Sequence, residues 1–207
     1  MDGESQWHVL RSCWARVARK VLEAFTSGED DAEVYGWAPA DLSELEVSAV
    51  GGSPALAATN DDVVQQFRTN NGTIVKGLFA GMRGLLLHTV GAKSGAPRLT
   101  PLYRFDFQGR WYVIGSDGGS ATAPAWVHNL RALSQACVEV GSNTGTGTVA
   151  YKVRVRELSE PERGRVWGEL RREIPHIDGF QAKTSRVIPI FELSKHNLNA
   201  ETKPVAT

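Results

Sequence analysis

The chain lacks the sequence signatures of metal, phosphate-loop and hydrolytic sites. Its five histidines form no His-x-x-x-His pair, and its two cysteines, Cys13 and Cys137, are far apart and lack the spacing of metal ligands. Neither a Gly-x-x-x-x-Gly-Lys-Ser/Thr loop nor a Gly-x-Ser-x-Gly elbow occurs. We therefore expect no metal site. Because no acid–base dyad stands out either, any redox chemistry would come from a bound organic cofactor.

Long apolar runs and a secretion signal are also missing. No stretch of 18 apolar residues occurs, so we expect no membrane-spanning helix. The acidic start over residues 1–4 is unlike a signal peptide, which begins with basic residues before an apolar core. Two isolated cysteines argue against a disulfide framework and fit a reducing compartment. We therefore predict a cytoplasmic protein.

Positive charge is missing from one interval of the chain. The formal net charge is zero, yet no Lys or Arg lies between Lys20 and Arg68. From Arg68 onward 19 bases face 11 acids, a net charge of 19 − 11 = +8. A basic domain behind an acidic leader favours an anionic ligand. The bases are scattered among strands without an aromatic–basic motif, so we expect a polyanionic cofactor and no nucleic acid.

The N-terminal region reads as an appendage to one domain. Apolar residues at helical spacing predict an amphipathic helix over residues 7–25: Trp7, Leu10, Trp14, Val17, Val21 and Phe25. This helix either packs on its own domain or makes a peripheral contact with a membrane or a partner. We assign residues 1–59 to this helix and an acidic linker, residues 60–195 to the main domain and residues 196–207 to a tail.

The central stretch alternates between strands and tight turns. The apolar run over residues 85–87 predicts a buried strand, and residues 91–97 are rich in turn formers. Residues 102–107 alternate, with Tyr103, Phe105 and Phe107 on one face. A reversal at Gln108-Gly109 leads into a return strand over residues 111–114.

The following residues predict further strands and a long helix. Residues 136–140 and 151–156 read as strands, the second half-buried. Ser159 and Glu162 predict a capping box for a helix that ends at Pro175. Residues 187–191 predict a closing strand, with Pro189 marking an edge or a bulge.

Four motifs in order resemble a known family. They are Gly91-x-Lys-Ser-Gly-x-Pro-Arg98, Thr100-Pro-Leu-Tyr103, Ser116-x-Gly-Gly119 and Pro124-x-Trp-x-x-Asn-Leu130. Together they resemble the deazaflavin-dependent nitroreductase family, whose members are split β-barrel oxidoreductases that use coenzyme F420. The resemblance runs from about Val63 to Leu193. It implies an α+β fold, an FMN-binding-like split β-barrel of antiparallel strands with flanking helices, preceded here by the amphipathic helix.

The resemblance also implies a cofactor site. Lys93 and Arg98 occupy the turn that holds the cofactor phosphate in this family, and Pro101 lies near the ring. Ser116 lies where a hydroxyl or backbone group approaches the reactive part of the ring, so it is both a cofactor-binding and a catalytic candidate.

Two further residues of the motifs have alternative interpretations. The family pattern places Trp126 and Asn129 in the cofactor pocket. From the residues alone, Trp126 is equally a core residue, and Asn129 is also suited to satisfying local backbone groups. Both alternatives stay open.

This sequence departs from the family pattern at two places. Asp117 follows Ser116, where nitroreductases often carry a base, and an acid there opposes a polyanion unless a base neutralises it. The family's tyrosines near the end of the long helix are replaced by Ile174, Ile177 and Phe180, which predict an apolar substrate pocket. Tyr103 keeps its motif position, and either Tyr103 or an ordered water is the candidate proton donor.

These features predict a reductase that transfers a hydride from reduced F420 to a lipophilic conjugated acceptor, a quinone, an enone or a nitro compound. One alternative is an FMN-dependent reductase in a similar barrel. The other is a non-catalytic protein that binds or carries a cofactor. The sequence indicates no oligomeric state.

Overall fold

The computed structural model describes residues 54–77, 80–143, 145 and 147–195, with side chains in α1 described from Asn60 onward. The predicted amphipathic helix over residues 7–25, most of the acidic linker and the tail over residues 196–207 lie outside the described residues. No helix within the described part of the chain combines the length and apolarity needed to cross a membrane.

Short connections join the elements of the described ranges. The helices are α1 (Pro54–Thr69), α2 (Ala125–Arg131), α3 (Glu162–Glu173) and α4 (Ile177–Ala182), and Asp117–Gly119 forms a 3₁₀ turn. The strands are β1 (Gly84–Val90), β2 (Pro97–Tyr103), β3 (Phe105–Phe107), β4 (Arg110–Ile114), β5 (Gln135–Gly141), β6 (Thr148–Glu157) and β7 (Ile190–Lys195). The paired strands are antiparallel throughout.

The sheet closes into a barrel because its two edge strands, β2 and β3, follow each other directly along the chain. The hydrogen-bonded order is β2-β1-β5-β6-β7-β4-β3, so β2 and β3 lie at opposite ends. Along the chain only Arg104 separates β2 from β3, and its amide donates to the Arg83 carbonyl at 2.9 Å. The sheet therefore curls until its edges meet at Arg104. The expected antiparallel split barrel with flanking helices is confirmed.

Strand alternation sorts the apolar side chains into the barrel interior and two outer layers. The interior core is formed by Leu85, Leu87, Val113, Trp126, Val127, Leu130, Ala136, Val138, Val140, Val153, Phe191 and Leu193. The layer against α3 and α4 contains Phe105, Tyr112, Leu158, Val166, Trp167, Leu170, Ile177, Ile188 and Ile190, with Tyr103 and Phe107 packed against it. The shared face predicted for Tyr103, Phe105 and Phe107 is therefore confirmed. The second outer layer lies beneath α1, which contributes Val63, Val64 and Phe67 to it.

A buried ion network fixes α1 to the barrel. Glu139 in β5 is 2% exposed and accepts hydrogen bonds from Arg68 in the last turn of α1, at 2.6 Å from Nη2 and 3.1 Å from Nε. Its Oε1 also lies 2.6 Å from Nε2 of His88 in β1, and its Oε2 accepts from Thr148 Oγ1 at 3.3 Å. The network thus joins one helix to three adjacent strands.

The charges of this network keep Glu139 ionised. Burial raises the pKa of Glu139, but hydrogen bonding and electrostatic attraction, first from His88 and then from Arg68, outweigh burial and lower it from 4.5 to about 2. A carboxylate that is buried but paired in this way is stable only while both partners remain in place.

Two glycines allow the turn after α1 to cross the end of β5. A Cβ on Gly72 would lie 2.4 Å from Gly141 Cα, and one on Gly141 would lie 2.2 Å from the Asn71 carbonyl oxygen. The Asn71 Oδ1 accepts the Ser142 amide at 3.0 Å across the same crossing. Backbone therefore contacts backbone here, and neither side has room for a side chain.

We expect Gly72→Ala to lower the free energy of unfolding by about 2 kcal/mol more than Gly77→Ala. Both glycines have positive φ, 80° and 84°, so both variants carry similar backbone strain. Only at Gly72 does the new Cβ meet backbone, because nothing lies within 4 Å at Gly77. Urea unfolding of the two variants measures the difference. Equal losses would show that the crossing adapts to a methyl group.

Several local expectations are wrong in detail. Helix α3 has Pro161 as its N-cap without a side-chain capping bond, so Ser159 and Glu162 form no capping box; Glu162 instead binds Arg156 at 2.6 and 2.9 Å. The closing strand begins at Ile190, after Pro189, because a proline cannot donate to the ladder.

Candidate functional site

The turn between β1 and β2 carries the predicted phosphate-binding bases. Its backbone closes through the Gly91 amide, which donates to the Ala96 carbonyl at 2.7 Å, and the Gly95 amide, which donates to the Gly91 carbonyl at 2.8 Å. Ser94 Oγ accepts the Ala96 amide at 3.2 Å. Ser94 and Gly95 therefore shape the turn, while the Lys93 side chain is exposed to solvent.

Arg98 lies over the same turn. A Cβ built on Gly91 would lie 2.5 Å from Ser94 Oγ and 3.8 Å from Arg98 Nε. Because Gly91 has no side chain, space remains beside the Arg98 guanidinium. Arg98 pairs with Thr89 across β1 and β2, which places both side chains on one face of the sheet. The turn thus brings two basic side chains to one end of the barrel.

Asn129 connects this turn to α2. Its Oδ1 accepts the Ala92 amide at 2.9 Å, and its Nδ2 donates to Thr89 Oγ1 at 3.3 Å. Asn129 is itself buried. The side chain therefore satisfies backbone, as the alternative interpretation expected, and in doing so it holds the basic turn in place. Direct contact of Asn129 with a cofactor stays a prediction.

Ser116 opens a tight loop between β4 and α2. Asp117, Gly118 and Gly119 have φ values of 46°, 62° and 88°, a conformation that glycine adopts easily and aspartate rarely. The Gly119 amide donates to the Ser116 carbonyl at 2.9 Å, and the Ser120 amide donates to the Asp117 carbonyl at 3.0 Å. Ser116 is half-buried at the start of this loop.

Arg186, which the sequence analysis did not single out, holds the Ser116 loop from one side. Its Nη1 donates to the Gly115 carbonyl at 2.9 Å, its Nη2 to the Ser116 carbonyl at 2.8 Å and its Nε to the Ser120 carbonyl at 2.8 Å. In the sequence Arg186 is one base among many near the C-terminal strand, and no pattern marks it.

Helix α4 packs against the same loop. A Cβ on Gly119 would lie 2.5 Å from the Phe180 carbonyl oxygen and 2.8 Å from Lys183 Cβ. The Phe180 ring is half-buried and stacks edge-on against His176 at 5.5 Å. Phe180, one of the predicted substrate-pocket residues, therefore lies on an element in contact with the Ser116 loop.

The other two predicted pocket residues differ in exposure. Ile177 is 3% exposed and belongs to the layer under α3 and α4, so its side chain is occupied in packing. Ile174 is partly buried against the same layer. Ile174 and Phe180 are thus the members of this set with surface left for a ligand, and a substrate contact by any of the three stays a prediction.

Tyr103 and Pro101 lie on a different face of β2 from Arg98. Residues 98 and 101 have opposite parity along the strand, so their side chains point to opposite faces. The Tyr103 hydroxyl donates to the carboxylate of Glu173 at the end of α3. Burial, and then the Glu173 hydrogen bond, raise the pKa of Tyr103 well above its ordinary value. The phenol therefore stays protonated but gives up its proton reluctantly, and its donor role stays a prediction.

A small cleft lies beside Tyr103 and away from the basic turn. Its volume is about 30 Å³, room for about one water molecule. It is lined by Val63, Phe67, Ile74, Met82, Arg83, Gly84, Leu85, Pro101, Leu102 and Tyr103. This cleft lies at the end of β1 and β2 opposite the basic turn, so we do not assign the cofactor to it.

Trp126 belongs to the barrel core. It is 4% exposed, and its ring packs edge-on against Phe191 at 5.9 Å. Of its two interpretations, the structure favours the core residue. The structure thus gathers Lys93, Arg98 and Asn129 around one turn and Ser116 with Phe180 around one loop, and α2 connects the two groups.

Comparisons with known proteins point to one family. A family model described as F420H(2)-dependent quinone reductase matches residues 60–195. An F420H(2)-dependent quinone reductase of Mycobacterium tuberculosis strain H37Rv is 31% identical over 130 residues, which cover 62% of this chain and 85% of the relative.

Solved structures similar to this chain include an F420-H2 dependent reductase. It is 32% identical, with a TM-score of 0.46, and the match covers 54% of this chain and 93% of that one. A second structure, described as a domain-swapped dimer, is 29% identical with a TM-score of 0.48 and covers 63% of this chain and 91% of that one.

Proposed function

The chain belongs to the F420H(2)-dependent quinone reductase family, and we propose on this basis that it reduces a quinone-type acceptor with reduced coenzyme F420. The observation that carries the proposal is the family match over residues 60–195, which includes the basic turn and the Ser116 loop. The FMN alternative has no support from this family, and a non-catalytic carrier disagrees with a family of reductases.

The residues at the basic turn fit an anionic cofactor. Lys93 is exposed, Arg98 lies over a glycine that leaves space beside it, and Asn129 fixes the turn against α2. We propose that Lys93 and Arg98 bind the cofactor phosphate, since an ammonium and a guanidinium form strong charge-assisted hydrogen bonds with phosphate oxygens. Held by Asn129, the turn would lose little freedom on binding.

Reduced F420 supplies a hydride, which together with one proton converts a quinone into a hydroquinone. The chain's own contribution is to position and shield the reactants. We propose that Ser116 and its loop contact the reactive part of the ring. We also propose that Ile174 and Phe180 form the apolar wall for the acceptor, beside the loop that α4 contacts.

The source of the proton is proposed to be the Tyr103–Glu173 pair. The Tyr103 hydroxyl donates to Glu173, so its proton lies near the end of α3. Transfer of the Tyr103 proton to the reduced acceptor would leave a phenolate beside a carboxylate, which the raised pKa opposes, so a proton from solvent would have to replace it.

Coenzyme F420 is expected to bind the full chain more tightly than FMN. The physical reason is the pair of bases at the turn, together with the net charge of +8 (19 bases, 11 acids) from Arg68 onward, which favour the more highly charged cofactor. Isothermal titration with both cofactors measures the difference, and anaerobic mixing of reduced F420 with a naphthoquinone measures turnover. Equal affinities, or tighter binding of FMN, would reject the deazaflavin assignment.

A further inference from the structure

Arg186 makes three hydrogen bonds to a single loop. Its guanidinium donates to three carbonyl oxygens, those of Gly115, Ser116 and Ser120, at 2.8–2.9 Å. These residues flank the 3₁₀ turn, so one side chain closes both ends of the loop. Three charge-assisted hydrogen bonds outweigh the freedom that a long side chain loses on ordering, and they hold the loop in one conformation.

Arg186 is itself held in place by α4. Its carbonyl accepts a hydrogen bond from Gln181 Nε2 at 2.8 Å. The Gln181 Oε1 also accepts the Ile188 amide at 3.0 Å, so one glutamine fixes the backbone on both sides of residue 187. The first residue of the loop is fixed as well, because the Gly115 amide donates to the Pro189 carbonyl at 2.9 Å. The backbone that carries the Arg186 side chain is therefore held in place next to the loop.

The direction of the carbonyls decides where the amides point. In a trans peptide the C=O and the following N–H point to opposite sides. Since the Gly115 and Ser116 carbonyls face Arg186, the amides of Ser116 and Asp117 point away from it. Two successive N–H donors are therefore presented together on the side of the loop remote from Arg186.

We infer that Arg186 is a positioning residue, which aims the amides of Ser116 and Asp117 at a carbonyl-type oxygen of the bound reactants. This inference rests on the proposed function, in which the Ser116 loop contacts the cofactor ring. The positive charge behind the two carbonyls polarises both peptides, which makes their N–H groups stronger donors. Such donors stabilise an oxygen that gains negative charge as a hydride arrives.

The oxygen has two possible sources with the same chemistry. One is the acceptor, whose quinone oxygen becomes negative on reduction. The other is a carbonyl of the cofactor ring, which would be held equally before and after hydride transfer. An acceptor oxygen predicts a lower kcat in variants, because the contact strengthens only in the transition state. A ring carbonyl predicts weaker F420 binding with a smaller change in kcat.

The test compares Arg186→Gln and Arg186→Lys with Arg163→Gln in the full-length protein. Arg163 is a matched control because its Nε donates to the Ile188 carbonyl at 3.0 Å and its Nη2 to Gln181 at 3.4 Å, yet it has no bond to the Ser116 loop. Unfolding temperature, amide hydrogen exchange over residues 115–121, F420 affinity by titration, and kcat and KM with a naphthoquinone are measured for each protein.

We expect Arg186→Gln to accelerate exchange in the loop and to lower either F420 affinity or kcat by about tenfold to a hundredfold. Arg186→Lys keeps the charge with fewer bonds and should fall between Arg186→Gln and the wild type. Arg163→Gln should leave the loop and both functional values within about threefold of the wild type.

Faster loop exchange in Arg186→Gln with unchanged affinity, kcat and KM would overturn the inference, because Arg186 would then only support the structure. An equal loss in Arg163→Gln without faster exchange in the loop would overturn it as well. Wild-type protein that fails to bind F420 would instead reject the proposed function, independently of the variants. If Arg186→Gln does not fold, the graded comparison rests on Arg186→Lys, and wild-type values in that variant would overturn the inference.

Discussion

Glu139→Gln is expected to lower the free energy of unfolding by about 3–5 kcal/mol, the usual cost of removing one partner from a buried ion pair. Glu139 is 2% exposed and is bound by Arg68, His88 and Thr148. The amide has nearly the same shape but no charge. It therefore removes the counter-ion of Arg68, whose side chain is 28% exposed, and leaves a neutral amide buried where the carboxylate accepted its hydrogen bonds.

The same substitution should change how stability depends on pH. The pKa of Glu139 is lowered from 4.5 to about 2 in the folded protein. Its contribution is therefore fully present above pH 4.5 and is lost as the pH falls towards 2, when the carboxylate becomes protonated. A shift of this size corresponds to about 3 kcal/mol. The stability difference between wild type and Glu139→Gln should shrink over this range of pH.

The control for this prediction is Glu157→Gln. Glu157 also binds an arginine in a bidentate pair, with Arg131 at 2.8 and 2.7 Å, but its side chain is 36% exposed. We expect a loss below about 1 kcal/mol, because water screens an exposed pair. Urea unfolding at pH 7 and at lower pH measures all three proteins. A similar loss in both variants would show that burial does not decide the strength of these pairs.

Replacing both bases of the turn is expected to weaken F420 binding by more than about a hundredfold. Lys93→Ala and Arg98→Ala should each cost about 1.5–3 kcal/mol, the typical value of a charge-assisted hydrogen bond. Because the two residues serve one turn, the double variant need not equal the sum of the single variants. The affinity of the wild type should also fall as the salt concentration rises.

Arg165→Ala is the matched control for the turn variants. Arg165 lies on α3, is largely exposed and makes only a long contact of 3.9 Å to Glu162. Its loss should leave F420 affinity within about twofold, because no contact links it to the turn. Fluorescence titration measures affinity, and melting curves confirm folding. Normal melting with unchanged affinity in both turn variants would leave Lys93 and Arg98 as solvated turn residues.

The fold was predictable where apolar side chains repeat with the period of a strand or a helix. The alternation that places Tyr103, Phe105 and Phe107 on one face survives in the structure, because strand geometry fixes the parity of side chains. The sequence does not show that the chain bends at Arg104, where β2 ends and β3 begins. The bend arises because β2 and β3 lie at opposite edges of the sheet. Which strands are at the edges is decided only when all the strands have paired.

Local motifs failed where a competing contact was stronger. Ser159 and Glu162 have the spacing of a capping box, yet Glu162 binds Arg156 from the neighbouring strand instead. A guanidinium–carboxylate pair outweighs one hydrogen bond to a backbone amide. Cap prediction considers only the residues of the first helical turn, so it omits a partner on the preceding strand.

The candidate site likewise has parts that the sequence predicted and parts that only the structure showed. The sequence by itself determined the chemical components: two bases on a glycine-bounded turn, a serine opening a glycine loop, and an asparagine on the helix that follows. It also determined the family, because four motifs in order are specific even though each is weak alone.

Only the tertiary structure decided how those components are held. Asn129 proved to fix the basic turn through Ala92, and Trp126 proved to fill the barrel core. Arg186 and Glu139 have no local signature, since their partners lie 66 to 71 residues away for Arg186 and 71 for the Arg68–Glu139 pair. Hydrogen bonds and buried charges depend on distances in space, and the closure of the barrel sets those distances.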